Sequence, residues 1–424
     1  MDPLAFGLTL SVRPTFALAP TAELLLFVAC GVCLGTVSGL VPGIHANNFA
    51  LLLAALGPSL PGSQTAVGAA ILAAGVVHTF LDVVPALALG VPDPAMAATA
   101  LPGHRLVVAG RGREALRLSA LGSVLAVALA VPLALPVTWL MTEAYPTVRT
   151  HLPVVLVVVV LLLLVTESSR RSALAGALCF ALSTLLGVST LDLDPDAPLA
   201  LGGMLAPLFS GLFGAPVLLD AFDGAGVPPQ DDATLALTGR EVGWSAGAGS
   251  LAGAFVGYLP GVSAAVASVL SLPLVPDIDG EGTREFLVAS SGANTSNTVF
   301  ALFALVTLGT PRTGVMVALE DGGGGAGVGA LPALLATTTV AAFVGFVLVV
   351  VVGDEYLRVV GRANYAVVSA TILALLVVLS WLFAGFVGVG VFLVASLVGL
   401  VPVRLRTRRV HLMGVLVGPL ILGV

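Results

Sequence analysis

Residues 31–43 read GVCLGTVSGLVPG, and residues 249–261 read GSLAGAFVGYLPG. Gly31, Gly35, Gly39, Pro42 and Gly43 recur 218 positions later as Gly249, Gly253, Gly257, Pro260 and Gly261. Glycine is common here, 50 of 424 residues, so the two Pro-Gly pairs carry most of the match. A second match follows each block. His78-Thr79 precedes Gly90-Val91-Pro92, and Asn297-Thr298 precedes Gly309-Thr310-Pro311, at the same spacing. Repeated marks at offsets of 218 and then 219 residues indicate an internal duplication.

The stretches around these blocks are long and apolar. Of the whole chain 58% is apolar and only 9% is charged, and the mean hydropathy is +1.10. So little charge cannot cover a soluble surface, where about a quarter of residues are charged. A secreted disulfide scaffold, a disordered chain and an ordinary cytosolic enzyme are excluded, and an integral membrane protein of many spans is indicated. Apolar runs fall at 22–41, 46–60, 64–91, 118–141, 151–166, 173–190 and 199–219. They resume at 243–259, 262–275, 287–309, 326–352, 364–384, 386–403 and 410–424. The runs 46–60 and 262–275 are too short to cross about 30 Å of hydrocarbon and read as re-entrant. The expected fold is an all-α polytopic membrane protein. It has about ten to twelve transmembrane or re-entrant helices in two inverted-topology repeats with broken helices. Residues 1–20 are an N-terminal segment, 21–219 the first repeat, 220–242 a linker and 243–424 the second repeat.

Orientation follows from arginine, because every one of the 17 cations is Arg. Arg105, Arg111, Arg113 and Arg117 form one cluster, Arg170 and Arg171 a second, and Arg404, Arg406, Arg408 and Arg409 a third. All three are expected on the cytoplasmic side with Arg358 and Arg362. The acidic loop at Asp192, Asp194 and Asp196 and the loop at Glu320 and Asp321 then fall outside. The loop after Pro92 is inside and its counterpart after Pro311 is outside, so the repeats have opposite topology. Parity also places the acidic 220–241 loop inside; acids weigh little in this rule. The net charge of −6 disfavours nucleic acid as a partner. Cys30 and Cys33 form a lone CxxC inside an apolar helix and read as small packing residues.

A Pro-Gly at the end of a glycine-rich membrane helix breaks it, since Pro lacks an N–H and Gly has no side chain. Backbone groups freed at membrane depth need protein or a wet cavity around them, and half-helix ends attract ions. The expected substrate site therefore gathers Pro42, Gly43, His45, Asn47 and Asn48 with Pro260, Gly261 and Ser263. Asn294, Thr295, Asn297 and Thr298 add neutral donors and acceptors that suit a carboxylate, or Na⁺ at Asn294 and Asn297. His78, Thr79, Asp82, Ser290 and Ser291 are the expected ion-coupling residues. An acid within a span is an ion or proton site by default, although Asp82 could instead pair with His78 across one helical turn. His104, His151 and His411 fall at loop edges and read as solvated. No HExxH or GxGD is present, and a Walker A is impossible without Lys. No enzyme activity, no metal and no cofactor beyond a coupling Na⁺ or H⁺ is expected.

At these residues the chain resembles the large membrane subunit of the tripartite tricarboxylate transporters, the TctA family. The resemblance rests on GTVSGLVPGIHANN, on ALGVPDPAMAATALPGHRLVVAGRGREALRLSALGS, on the Asn-rich stretch ending LGTP and on HLMGVLVGP. It runs over most of the chain, which is shorter than typical bacterial members, as in an archaeal type. Ser291 stands where the family has an acid, Thr295 where it has a second Asn, Pro102 replaces an Asp, and His45 a small residue. The resemblance implies a cell-membrane, multi-pass permease importing di- or tricarboxylates by ion-coupled symport. It also implies a small membrane subunit and an extracytoplasmic binding protein as partners beside the bilayer; a homo-oligomer is a separate expectation. A passive anion channel or a non-transporting scaffold subunit stays open as the alternative.

Overall fold

The computed structural model describes residues 18–41, 62–90, 100–198, 203–221, 227–259, 262–275, 283–323, 327, 329–362 and 364–424. Every element among them is helical. The first half comprises α1 (Leu18–Leu40), α2 (Gln64–Leu81), α3 (Val83–Leu89), α4 (Ala100–Val108), α5 (Gly112–Thr150), α6 (Leu152–Val165) and α7 (Arg170–Thr190). A short helix α8 (Leu205–Phe209) runs through a π-helical turn (Ser210–Gly214) into α9 (Ala215–Ala221). The second half comprises α10 (Gly239–Gly257), α11 (Ala264–Ser271), α12 (Thr283–Leu308), α13 (Gly314–Gly323), α14 (Leu331–Val360) and α15 (Tyr365–Leu405). A 3-10 turn at Arg409–Met413 leads into α16 (Gly414–Leu422).

Among the described residues six helices are long and apolar enough to cross a membrane. The cause is composition, sharpened by local stops and starts. Ser63 Oγ accepts from the Ala66 N–H at the head of α2, and Ser169 Oγ accepts from the Ser172 N–H at the head of α7. Thr238 and Glu241 form a reciprocal capping box on α10. Pro132, Pro136 and Pro146 lie inside α5 without ending it, as membrane surroundings permit. The sequence expects two spans meeting at residue 385, and α15 is kinked there. Gly385 has φ +58°, which favours glycine, and a Cβ on it would sit 2.3 Å from the Asp196 carbonyl oxygen. Two helices lie outside the expected spans, α4 and α13, each ten residues or fewer.

The glycines decide how α1, α2, α10 and α12 pack. A Cβ on Gly31 would lie 2.2 Å from Ala70 O, and one on Gly35 would lie 2.4 Å from Ala74 O. A Cβ on Gly249 would lie 2.0 Å from Ala289 O, and one on Gly253 2.7 Å from Ala293 O. Ala70 and Ala289, like Ala74 and Ala293, stand 219 residues apart. In both pairs the contacts ascend together, so α1 runs parallel to α2 and α10 runs parallel to α12. The chain must therefore return between the members of each pair. Between α10 and α12 the return includes α11, whose eight residues span about 12 Å, too short to cross a bilayer. The run 46–60, expected to be re-entrant, lies outside the described residues.

The helix stretch Gln64–Leu89 is 94% buried, against 28–50% for the other five candidate spans. It is thus the centre of the protein and is shielded from lipid. Lipid-facing apolar side chains sit elsewhere, among them Leu26, Trp139, Phe343 and Phe386. Cys30 and Cys33 are exposed, which corrects their reading as packing residues. The glycines occupy the contact face of α1, so the intervening cysteines point away from it. The linker also has a definite place. Gln230 accepts from the Gly112 N–H at 2.6 Å and donates to Val107 O at 3.1 Å, and the Asp231 N–H donates to Gly110 O.

Candidate functional site

The buried polar centre lies where α2 meets α12. Helix α2 stops at Asp82, which is its C-cap, and α3 starts again immediately. The interruption holds a carboxylate inside the protein, with Asp82 only 3% exposed. Asn294 Nδ2 donates to Asp82 Oδ2 at 2.8 Å and approaches Thr79 O at 3.5 Å. Thr79 Oγ1 is 3.2 Å from Thr295 Oγ1. One turn back, His78 Nδ1 lies 2.9 Å from Ser38 Oγ on α1, and that hydroxyl also reaches Gly35 O at 3.1 Å. With the hydroxyl proton on Gly35 O, the imidazole donates from Nδ1. A buried carboxylate held by an amide is a charge-assisted contact, and a carboxylate is a group that can take up a cation or a proton.

The structure thus brings together Thr79, Asp82, Asn294 and Thr295, with His78 in the adjoining turn. It directs other expected residues elsewhere. Ser291 Oγ is 2.7 Å from Ser119 Oγ on α5, and Ser123 Oγ reaches Ser291 O, so Ser291 joins two helices. Ser290 Oγ turns back to Leu287 O within its own helix. Asn297 and Thr298 are buried and make no side-chain hydrogen bond to another described residue. Ser263 caps α11 by position but accepts no capping bond, and its buried hydroxyl has no partner among the described residues. Pro42, Gly43, His45, Asn47, Asn48, Pro260 and Gly261 lie outside the described residues. Ser38 is absent from the residues expected at the site, although it falls between Gly35 and Gly39 on the face that meets α2.

A second polar cluster corrects the reading of His411 as solvated: it is 1% exposed. Its Nε2 lies 2.8 Å from Glu167 Oε1, in the turn before α7. Glu167 also accepts from Ser172 Oγ at 2.5 Å and from the Arg408 N–H at 3.2 Å. Burial raises the Glu167 carboxyl, but the donors from Ser172, His411 and Arg408 outweigh it and hold it below its ordinary value. The histidine is buried because Gly176 leaves room for its ring: a Cβ there would lie 2.7 Å from it. His104 is half-buried with Nδ1 on Leu87 O, and His151 is exposed. A third cluster centres on buried Glu114, which binds Arg111, Arg284 and the Ala236 N–H.

Long apolar helices around a buried stretch carrying an acid and an imidazole, met by the amide of Asn294 on α12, define a polytopic membrane protein with a polar centre. Residues 25–414 match the family described as tripartite tricarboxylate transporter TctA family, and the chain belongs to it. That family is one of transporters and not of enzymes. The chain is 27% identical over 409 residues to the uncharacterized protein MJ1079 of Methanocaldococcus jannaschii, covering 94% of this chain and 98% of that one. No solved structure matches it significantly.

Proposed function

We propose that this protein is the membrane-embedded carrier of a secondary transporter, moving a di- or tricarboxylate with Na⁺ or H⁺. The observation that carries the reading is the 2.8 Å contact between Asp82, at the interruption of α2, and Asn294 in the middle of α12. It links the two halves of the chain at a carboxylate buried within the spans, where an ionisable group has a functional role by default. Asp82 binds the coupling ion, and Asn294 trades its bond to Asp82 for one to substrate or Na⁺. Asn297, Thr298 and Ser263 offer substrate contacts with the Pro-Gly breaks at Pro42-Gly43 and Pro260-Gly261. The halves are inverted repeats, 21–219 and 243–424, joined by the linker 220–242. The matched glycine registers of α1 on α2 and of α10 on α12 support that duplication. A small membrane subunit and an extracytoplasmic binding protein complete the system in the cell membrane.

The test is uptake of labelled di- and tricarboxylates into proteoliposomes under separately imposed Na⁺ and H⁺ gradients, first with this chain alone and then with a binding protein added. Accumulation above equilibrium under one gradient supports the reading and identifies the ion. Uptake that only equilibrates would indicate a channel. Absence of uptake in every arrangement would remove the carrier assignment.

A further inference from the structure

The linker closes one wall of a cavity of about 310 Å³ that lies away from the polar centre. Val227, Pro228, Pro229 and Gln230 form that wall, and the C-terminal end of α14 with Arg113 of α5 forms the rest. Arg113, Arg358 and Arg362 line it, opposed by Asp354. That acid is already committed, because Arg117 holds it through two contacts at 3.0 and 3.3 Å. Arg113 also pairs with the fully exposed Asp232, and Arg358 pairs with Glu355, an exposed contact of little strength. Four guanidiniums therefore face three carboxylates, and Arg362 makes no ion pair to a described residue.

A second feature meets the cavity from outside. On α14 the exposed residues Val340, Phe343, Val347 and Val351 recur at helical spacing and form one apolar stripe. Continuing that spacing leads through Glu355 to Arg358 and Arg362 at the cavity. An apolar stripe ending in guanidiniums, on the arginine-rich side, has the polarity of a phospholipid: acyl chains along the helix and a phosphate at its end. Guanidinium groups are suited to phosphate through their paired donors. We propose that this cavity binds the headgroup phosphate of an anionic membrane phospholipid, with the acyl chains lying along the exposed face of α14. Because the linker forms one wall, an occupied site would brace the linker against α5 and α14.

The full-length protein in detergent, titrated with short-chain phosphatidylglycerol and followed by native mass spectrometry, tests this. Arg358→Gln with Arg362→Gln should weaken binding at least tenfold, the effect of losing one charge-assisted contact. Arg362→Gln alone removes an exposed side chain and keeps the test valid if the double variant misfolds. Arg170→Gln with Arg171→Gln, on the same face but remote from the cavity, should leave binding unchanged. Equal loss in both pairs would show general surface attraction and overturn the site. Phosphatidylcholine binding as tightly as phosphatidylglycerol would overturn the anionic specificity. Inorganic phosphate binding as tightly as the lipid would overturn the role of the apolar stripe.

Discussion

At the scale of single residues, Asp82 and Asn294 form the contact with the clearest consequence. Removing one partner of a buried charge-assisted bond costs about 1.5–3 kcal/mol. Asn294→Ala and Asp82→Asn are therefore expected to lower uptake about tenfold or more while the chain still inserts in the membrane. Proteoliposome transport beside a membrane-fraction immunoblot checks both, and unchanged uptake in the two variants would remove them from the site. Glu167 makes a different prediction. Its folded pKa lies below the ordinary value of 4.5, so the stability it contributes is fully present above that value and is lost as pH falls through the lower folded value. Between those two values, acid should lower the melting temperature of the wild type more steeply than that of Glu167→Gln. Melting curves in detergent across that window measure the difference, and parallel curves would contradict it.

At the scale of elements, the glycine ladders set how closely helices approach. Gly249→Val forces a branched side chain onto the Ala289 carbonyl and should destabilise by about 1–3 kcal/mol or more. Gly247 stands on the same helix, and a Cβ added there would meet nothing within 4 Å. Gly247→Ala should therefore stabilise by about 0.5–1 kcal/mol through helix propensity. Opposite shifts in thermal stability are expected from two glycines two positions apart, and shifts of one sign would refute the ladder. Proline sets the central interruption. Pro85 in α3 has no N–H for the Leu81 carbonyl, so the helical ladder breaks there, and Asp82 at the break is held from α12 by Asn294.

At the scale of the whole molecule, the two expected repeats pack through each other. Helix α5 of the first contacts α12 of the second through Ser119, Ser123 and Ser291, and α7 contacts the segment before α16 through Ser172, Ser183 and Gly176. If the proposed carrier works by alternating access, it must move groups of helices drawn from both halves. A disulfide between Gln230→Cys in the linker and Gly112→Cys at the head of α5 would tie the two together where the Gln230 side chain now reaches the Gly112 N–H. If the linker stays fixed through the cycle, that cross-link should leave transport within about twofold of the reduced protein. A large, reversible loss on oxidation would show instead that the linker moves.

The membrane class and the places of the long apolar helices were legible in the sequence because they depend on local quantities. These are hydropathy summed along a helix, the missing N–H of proline and the positive φ open to glycine at Gly385. The family resemblance followed from ordered motifs of the same local kind, and residues 25–414 match that family. Which polar residues meet was not legible, because it depends on helix rotation and crossing. Ser291 stands three residues from Asn294, yet one binds α5 and the other binds Asp82. His411 reads as a loop-edge residue, but space opposite Gly176 buries it against Glu167. Sequence alone determined that this chain is built of apolar helices and spans a membrane. Only the tertiary structure decided which buried groups became partners, because burial without a partner is costly and the partners of Asp82 and His411 lie more than 200 residues away.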